Sequence, residues 1–179
     1  VALHQACQSI WSGDAEMAIT GGVNMLLHPF GFVGFSKASM LSPQGCCQTF
    51  DADGDGYVRA EGAAIFFLKP LAQAEADGDP IQAVIVASGI NCDGHTNGIT
   101  VPSSEQQAQL LQTVYQRAGI DANQLTYLEA HGTGTAVGDP LETQALGKVL
   151  GQARTQPLPI GSAKTNVGHL ETASGMAGL

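Results

Sequence analysis

Five short runs constrain this chain more than any other feature, because they are apolar almost throughout: residues 17–23 (MAITGGV), 63–68 (AAIFFL), 81–90 (IQAVIVASGI), 125–130 (LTYLEA) and 158–161 (LPIG). A strand with one face in water alternates apolar and polar residues, whereas a strand covered on both faces has no need to. Helical patterns lie between these runs, so strands and helices alternate. That order predicts a largely parallel sheet covered on both faces, an α/β layered fold. In such folds the carboxyl ends of the strands collect the chemistry.

The helices are marked by their ends. Residues 1–12 place Leu3, Cys7, Ile10 and Trp11 at helical spacing and stop at Ser12-Gly13-Asp14. Ser103 or Ser104 caps a helix over residues 105–118, with Leu110, Leu111, Val114 and Ala118 on one side and Gly119 as its stop. A further helix opens at Asp139-Pro140-Leu141-Glu142 and runs to about residue 150, with Asp139 as cap, Pro140 in the first turn and Glu142 closing a capping box. Thr165 or Asn166 caps a last helix. Residues 28–49, rich in proline and glycine, read as loop with a short helix near 36–41.

Composition narrows the function. The chain has 179 residues, suited to a single core, with 44% apolar and 13% charged residues, which excludes a disordered chain. Seven basic against sixteen acidic residues give a net charge of −9 with no basic cluster, which argues against nucleic acid. No apolar run is long enough to span a bilayer, and no signal-peptide pattern is present. Cys7, Cys46, Cys47 and Cys92 have no CxxC spacing and read as reduced thiols of a cytoplasmic protein. Both ends fall inside helical patterns and are expected to be truncations of a longer chain.

Two strand ends carry histidine motifs. The first is EAHGTGT, residues 129–135: His131 directly follows a strand, the glycines admit close backbone approach, and Thr133 and Thr135 offer hydroxyls. It has neither Walker nor GxGxxG spacing, and a structural hydrogen-bonding histidine is the rival reading. The second is GSAKTNVGHLE, residues 161–171. If Asn166 caps the helix, His169 lies in its first turn, where the positive helix end disfavours the imidazolium. A neutral imidazole can donate an N–H to a developing oxyanion. Lys164 either polarises the pocket or is solvated.

EAHGTGTAVGDPLE and GSAKTNVGHLE resemble the two histidine motifs of the β-ketoacyl synthase (ketosynthase) family, in the style of type I polyketide synthases. GGVNMLLHP, FSKASMLSPQGCCQTFDADGDGYVRAEGAA and NCDGHTNGITVPS are also similar to family blocks, so the resemblance covers the whole chain. It implies the thiolase-like α-β-α-β-α layered fold, here partial with both ends truncated. Residues 1–100 would be about the end of the N-terminal half of one ketosynthase domain, and residues 101–179 about the start of the C-terminal half. The implied reaction is decarboxylative Claisen condensation of an acyl thioester with a malonyl-type extender on an acyl carrier protein. His131 and His169 would be catalytic donors, Lys164 a supporting group, and Thr133 and Thr135 contacts for the carrier's phosphopantetheine. No directly bound cofactor or metal is implied, and the parent is expected to be a homodimer.

The family's nucleophilic cysteine stands in an Ala-Cys-Ser-Ser-Ser type block at a helix start. VALHQACQSIWSGD resembles the helix just after that block, so the nucleophile is expected upstream, and the isolated chain is expected to be inactive and poorly folded. Cys7, mid-helix and without flanking serines, is not its equivalent. A fatty-acid synthase ketosynthase or a condensation-silent domain remains an alternative. Glu142 could be a family acid, but capping is the favoured reading. Three further features read as decoys. DADGDG (residues 51–56) imitates a calcium loop but has Gly62 at the twelfth position. His4, His28 and His95 lack ligand spacing, and Cys92 with His95 lies in a glycine-rich loop.

Overall fold

A computed structural model describes residues 1–152 and 154–179. Helix α1 (Ala2–Trp11) leads into strand β1 (Ala18–Asn24), followed by α2 (Phe30–Lys37), β2 (Gly62–Leu68) and α3 (Leu71–Asp77). Then come α4 (Ser104–Ala118), β3 (Leu128–Glu129), α5 (Gly138–Leu146), β4 (Ile160–Gly161), α6 (Lys164–Val167) and α7 (Ser174–Ala177).

The two strand pairs differ in direction. β1 and β2 are antiparallel, with Ala18 opposite Leu68 and Asn24 opposite Gly62. β3 and β4 are parallel, with Leu128 opposite Ile160 and Glu129 opposite Gly161. The expectation of a largely parallel sheet therefore holds only for the second pair. Uniform apolarity reports coverage of a strand, not its direction. One face of the β1–β2 ribbon carries Ile19 and Ile65, 74% and 75% exposed, with Val23 and Phe67 beside them. The other carries Thr20, Gly22 and Asn24. There the chain at 171–177 packs so closely that a β-carbon on Gly22 would lie 3.1 Å from the Ala173 α-carbon.

Helix α4 forms as its ends predict. The Ser103 side chain accepts the Gln106 N–H, and Gly119 closes the helix at φ +65°. Other expectations change. Residues 81–90 form no strand; they run between α1 and α4, where Ser88 hydrogen-bonds His4 at 2.9 Å and Gly89 faces Leu110 and Val114. A strand needs a neighbour for its backbone, and apolarity alone does not supply one. The strand expected at 125–130 is confined to Leu128–Glu129. The short helix expected at 36–41 lies earlier, at Phe30–Lys37. α5 stops at Leu146 and passes into a wide π-type turn, Gly147–Gly151, in place of a regular helix to residue 150.

Candidate active site

Because β3 and β4 are adjacent and parallel, the segments that follow them leave from one edge, and the Ala130 N–H donating to the Gly161 carbonyl at 2.8 Å continues the ladder toward that edge. His131 comes directly after β3. His169 arrives by a longer route, through α6 and then Gly168, whose φ of +75° turns the chain back. A β-carbon at Gly168 would lie 2.9 Å from that of Ala60, so glycine there lets the following residue pack on the 58–60 segment.

That packing corrects the expected setting of His169. It does not sit in a helical first turn capped by Asn166 or Thr165: α6 begins at Lys164 and ends at Val167. Instead the His169 N–H donates to the Val58 carbonyl at 2.7 Å, and the His169 carbonyl accepts from Ala60 at 3.0 Å. A one-residue parallel bridge thus fixes its main chain, and the first turn of α6 is not what surrounds this ring.

The two histidines meet. Their ring centroids are 5.3 Å apart and the planes nearly perpendicular at 86°. The Tyr57 ring lies 5.1 Å from that of His169, tilted by 54°. His169 Nδ1 accepts the Glu171 N–H at 2.8 Å, which assigns the hydrogen of the neutral ring to Nε2. Burial, then the neighbouring His131 and the Lys164 charge, push the His169 pKa down to about 4. His131 is exposed by surface area, yet protein surrounds enough of the ring for partial desolvation, together with Lys164, to hold its pKa below the usual histidine range. Both rings are therefore neutral at physiological pH. Lys164 is not a solvated surface lysine: it is 7% exposed, and burial pulls its pKa below the usual lysine range.

Carboxylates brace the loops. Glu142 accepts the N–H groups of His131 at 2.7 Å and Gly132 at 2.8 Å, so it binds the histidine loop and does not cap α5. Asp139 is likewise not a cap. Nearly buried, it accepts from Phe50 N–H at 2.8 Å and Gly134 N–H at 3.1 Å, tying residues 48–56 to residues 131–135. Thr133 and Thr135 hydrogen-bond each other at 3.1 Å, with Thr133 buried. The acidic run 51–56 is structural: Asp51 accepts from Asp53 N–H at 2.9 Å, Asp55 from the Gln44 amide at 3.0 Å, and Gly56 N–H donates to Gly134 O at 3.0 Å.

Tyr57, Arg59 and Glu171 lie within the quoted motifs, but the sequence assigned them no role. Arg59 grips the Glu171 carboxylate with two hydrogen bonds, 2.6 and 2.8 Å, two residues beyond His169. The available signal was an arginine lodged between the apolar residues of YVRAEGAA. The cysteines stand apart from nucleophilic chemistry. Cys7 and Cys47 are each 4% exposed, and burial raises both thiol pKa values, with Cys47 Sγ accepting the Val58 N–H at 3.2 Å.

Paired neutral imidazoles at the carboxyl edge of parallel strands, backed by a buried lysine, form an arrangement chemically able to donate N–H bonds to one oxyanion. The chain belongs to the β-ketoacyl synthase family: residues 1–74 match its N-terminal domain profile and residues 82–179 its C-terminal domain profile. It is 50% identical over its whole length to a phenolphthiocerol/phthiocerol polyketide synthase of Mycobacterium tuberculosis, covering 10% of that protein. It is 51% identical, again over its whole length, to the highly reducing polyketide synthase ZEA2 of Gibberella zeae, covering 8% of it. The oxazolomycin ketosynthase domain OzmH KS7 of Streptomyces albus superposes with a TM-score of 0.95 at 43% identity, over 99% of this chain and 31% of that one. The ketosynthase from module 6 of the Bacillus subtilis bacillaene synthase gives 0.95 and 43%, over 98% and 32%. The chain thus spans about a tenth of its curated relatives and about a third of the solved domains.

Proposed function

We propose that these residues form the decarboxylating half of a ketosynthase site in polyketide biosynthesis, within a single ketosynthase domain whose N-terminal half gives way to the C-terminal half before residue 101. The observation that carries this reading is the convergence of the His131 and His169 rings at 5.3 Å, both neutral, with the His169 hydrogen on Nε2. A malonyl-type thioester, delivered on the phosphopantetheine of an acyl carrier protein, would place its thioester carbonyl oxygen between the rings. The bond to the carboxylate breaks, carbon dioxide leaves, and the electron pair passes into an enolate whose oxygen accepts the two N–H bonds. The enolate carbon then attacks an acyl thioester carbonyl, a carbon–carbon bond forms, and the thiolate departs.

Supporting roles follow from position. Lys164 adds its charge to the burial that holds both imidazoles neutral, and that positive potential would stabilise the enolate. Thr133 and Thr135, on the same loop as His131, would meet the pantetheine arm. The nucleophile would lie outside residues 1–179: Cys7 and Cys47 are buried with raised pKa, and Cys46 and Cys92, though exposed, have no hydrogen-bonding base among their described contacts. The reaction needs no bound cofactor in this account. The parent would be a cytoplasmic homodimer; among the described residues no helix is long and apolar enough to cross a membrane. Polyketide synthase relatives favour a polyketide over a fatty-acid product.

The test is labelled carbon dioxide release from a malonyl thioester by the longest natural chain that carries this sequence. His131→Ala and His169→Ala are each expected to suppress release by about 10²-fold or more, the scale for losing one oxyanion donor. Acylation of the nucleophile should survive better. Undiminished release in either variant refutes the reading, and acylation without any release in the unsubstituted chain marks a silent domain.

A further inference from the structure

Several interactions converge on Glu171, the Asn24 amide and the Tyr57 hydroxyl among the groups at its carboxylate. Its N–H donates to His169 Nδ1 at 2.8 Å, and its carboxylate takes two arms of the Arg59 guanidinium at 2.6 and 2.8 Å. Its backbone also has φ +43°, in the left-handed region that a non-glycine residue occupies only under constraint. Arg59 is the cation among the groups that hold it there. That side chain is 9% exposed and lies 5.0 Å from the ring centroids of both Phe32 and Phe35. Arg59 stands between Val58 and Ala60, the two residues that bond the His169 main chain. One three-residue segment therefore holds His169 twice, directly through the backbone and indirectly through Glu171.

We propose that Arg59 and Glu171 are a positioning pair that sets the ring orientation and tautomer of His169, and so keeps its Nε2–H aimed at the thioester oxygen. This rests on the condensing role proposed above and adds residues to it that never touch substrate.

Charge makes the pair more than a brace. The groups facing His169 are Lys164 from α6, His131 after β3, Tyr57 and Arg59 from the segment before β2, and Glu171 itself. Of these only Glu171 is negative. A carboxylate without a compensating cation there would draw a proton onto the imidazole, placing a hydrogen on Nδ1 where the Glu171 N–H already points. The bidentate guanidinium cancels that charge and holds the N–H in place.

The decisive experiment labels histidine ring carbons in the longest natural chain and follows His169 by NMR, assigned through His169→Gln, beside malonyl decarboxylation kinetics. The unsubstituted protein is expected to show the Nε2–H tautomer. Arg59→Met should raise the His169 titration midpoint by about one pH unit and cut turnover about tenfold at unchanged KM. Arg59→Lys, which keeps the charge but not the fork, should restore the midpoint more than the turnover. Glu171→Gln keeps the N–H, removes the negative charge, and should lower the midpoint. If Arg59→Met does not fold, this opposite shift decides alone. An unmoved midpoint, or both single variants shifting it the same way, overturns the pair while leaving the condensing reading intact. Absence of decarboxylation in the unsubstituted chain removes that reading and the pair's role together.

Discussion

Glu142→Gln separates the observed role of this residue from the one its position in the sequence suggests. The Glu142 carboxylate uses one oxygen on the His131 N–H, at 2.7 Å, and the other on the Gly132 N–H, at 2.8 Å. Glutamine is nearly isosteric but offers a single acceptor, so one backbone N–H would face an NH₂ group. Hydrogen bonds to charged groups contribute about 1.5–3 kcal/mol, and an orphaned donor costs a comparable amount. The partly exposed setting places the sum near the low end, about 2 kcal/mol. If that cost appears as displacement of the His131 loop, decarboxylation slows by about 30-fold. A capping box accepts glutamine as readily as glutamate, so a capping role predicts almost no effect. The assay is carbon dioxide release per turnover under saturating malonyl thioester, with denaturant unfolding in parallel. Unchanged turnover and stability in Glu142→Gln would refute the bracing argument.

Other consequences are equally checkable. The folded His169 ring stays neutral down to about 4, while in the unfolded chain it protonates near 6.5. Its contribution is therefore full above about pH 6.5 and is lost as the pH falls toward 4, by about 2 kcal/mol once solvent screening of the half-buried ring is allowed for; denaturant midpoints should fall over that window, and His169→Gln should flatten the slope. Brief alkylation followed by peptide mapping should label exposed Cys46 and Cys92 and spare Cys7 and Cys47. Thr133→Val should raise KM for the carrier-bound extender about fivefold, one lost hydrogen bond, with little change in turnover. Gly134→Ala, at φ +77° with a β-carbon that would meet Gln48 N at 2.7 Å, should cost about 2 kcal/mol by denaturant unfolding.

Features governed by neighbours along the chain were legible from the residues alone. The α4 caps at Ser103 and Gly119 obey local rules, and the strand–histidine succession at residues 128–131 placed His131 on a strand rim. Features governed by distant partners were not. Nothing within residues 17–23 states that their partner at 62–68 runs the opposite way, and nothing within 81–90 states that no ladder forms. The D-P-L-E pattern fits a capping box so well that it concealed carboxylates committed to other loops. His169 showed the same ambiguity: the inference of a neutral ring survived, but its cause changed from a helix dipole to burial beside His131 and Lys164. The Arg59–Glu171 pair spans 112 positions, so the sequence around either residue does not name its partner.

The measurement closest to the core of this account is a structure of the longest natural chain bound to a non-hydrolysable malonyl-pantetheine analogue. Both Nε2 atoms, of His131 and His169, are expected within about 3 Å of the same carbonyl oxygen, the distance of a hydrogen bond. A carbonyl bound elsewhere, or reached by only one of the two rings, would contradict it.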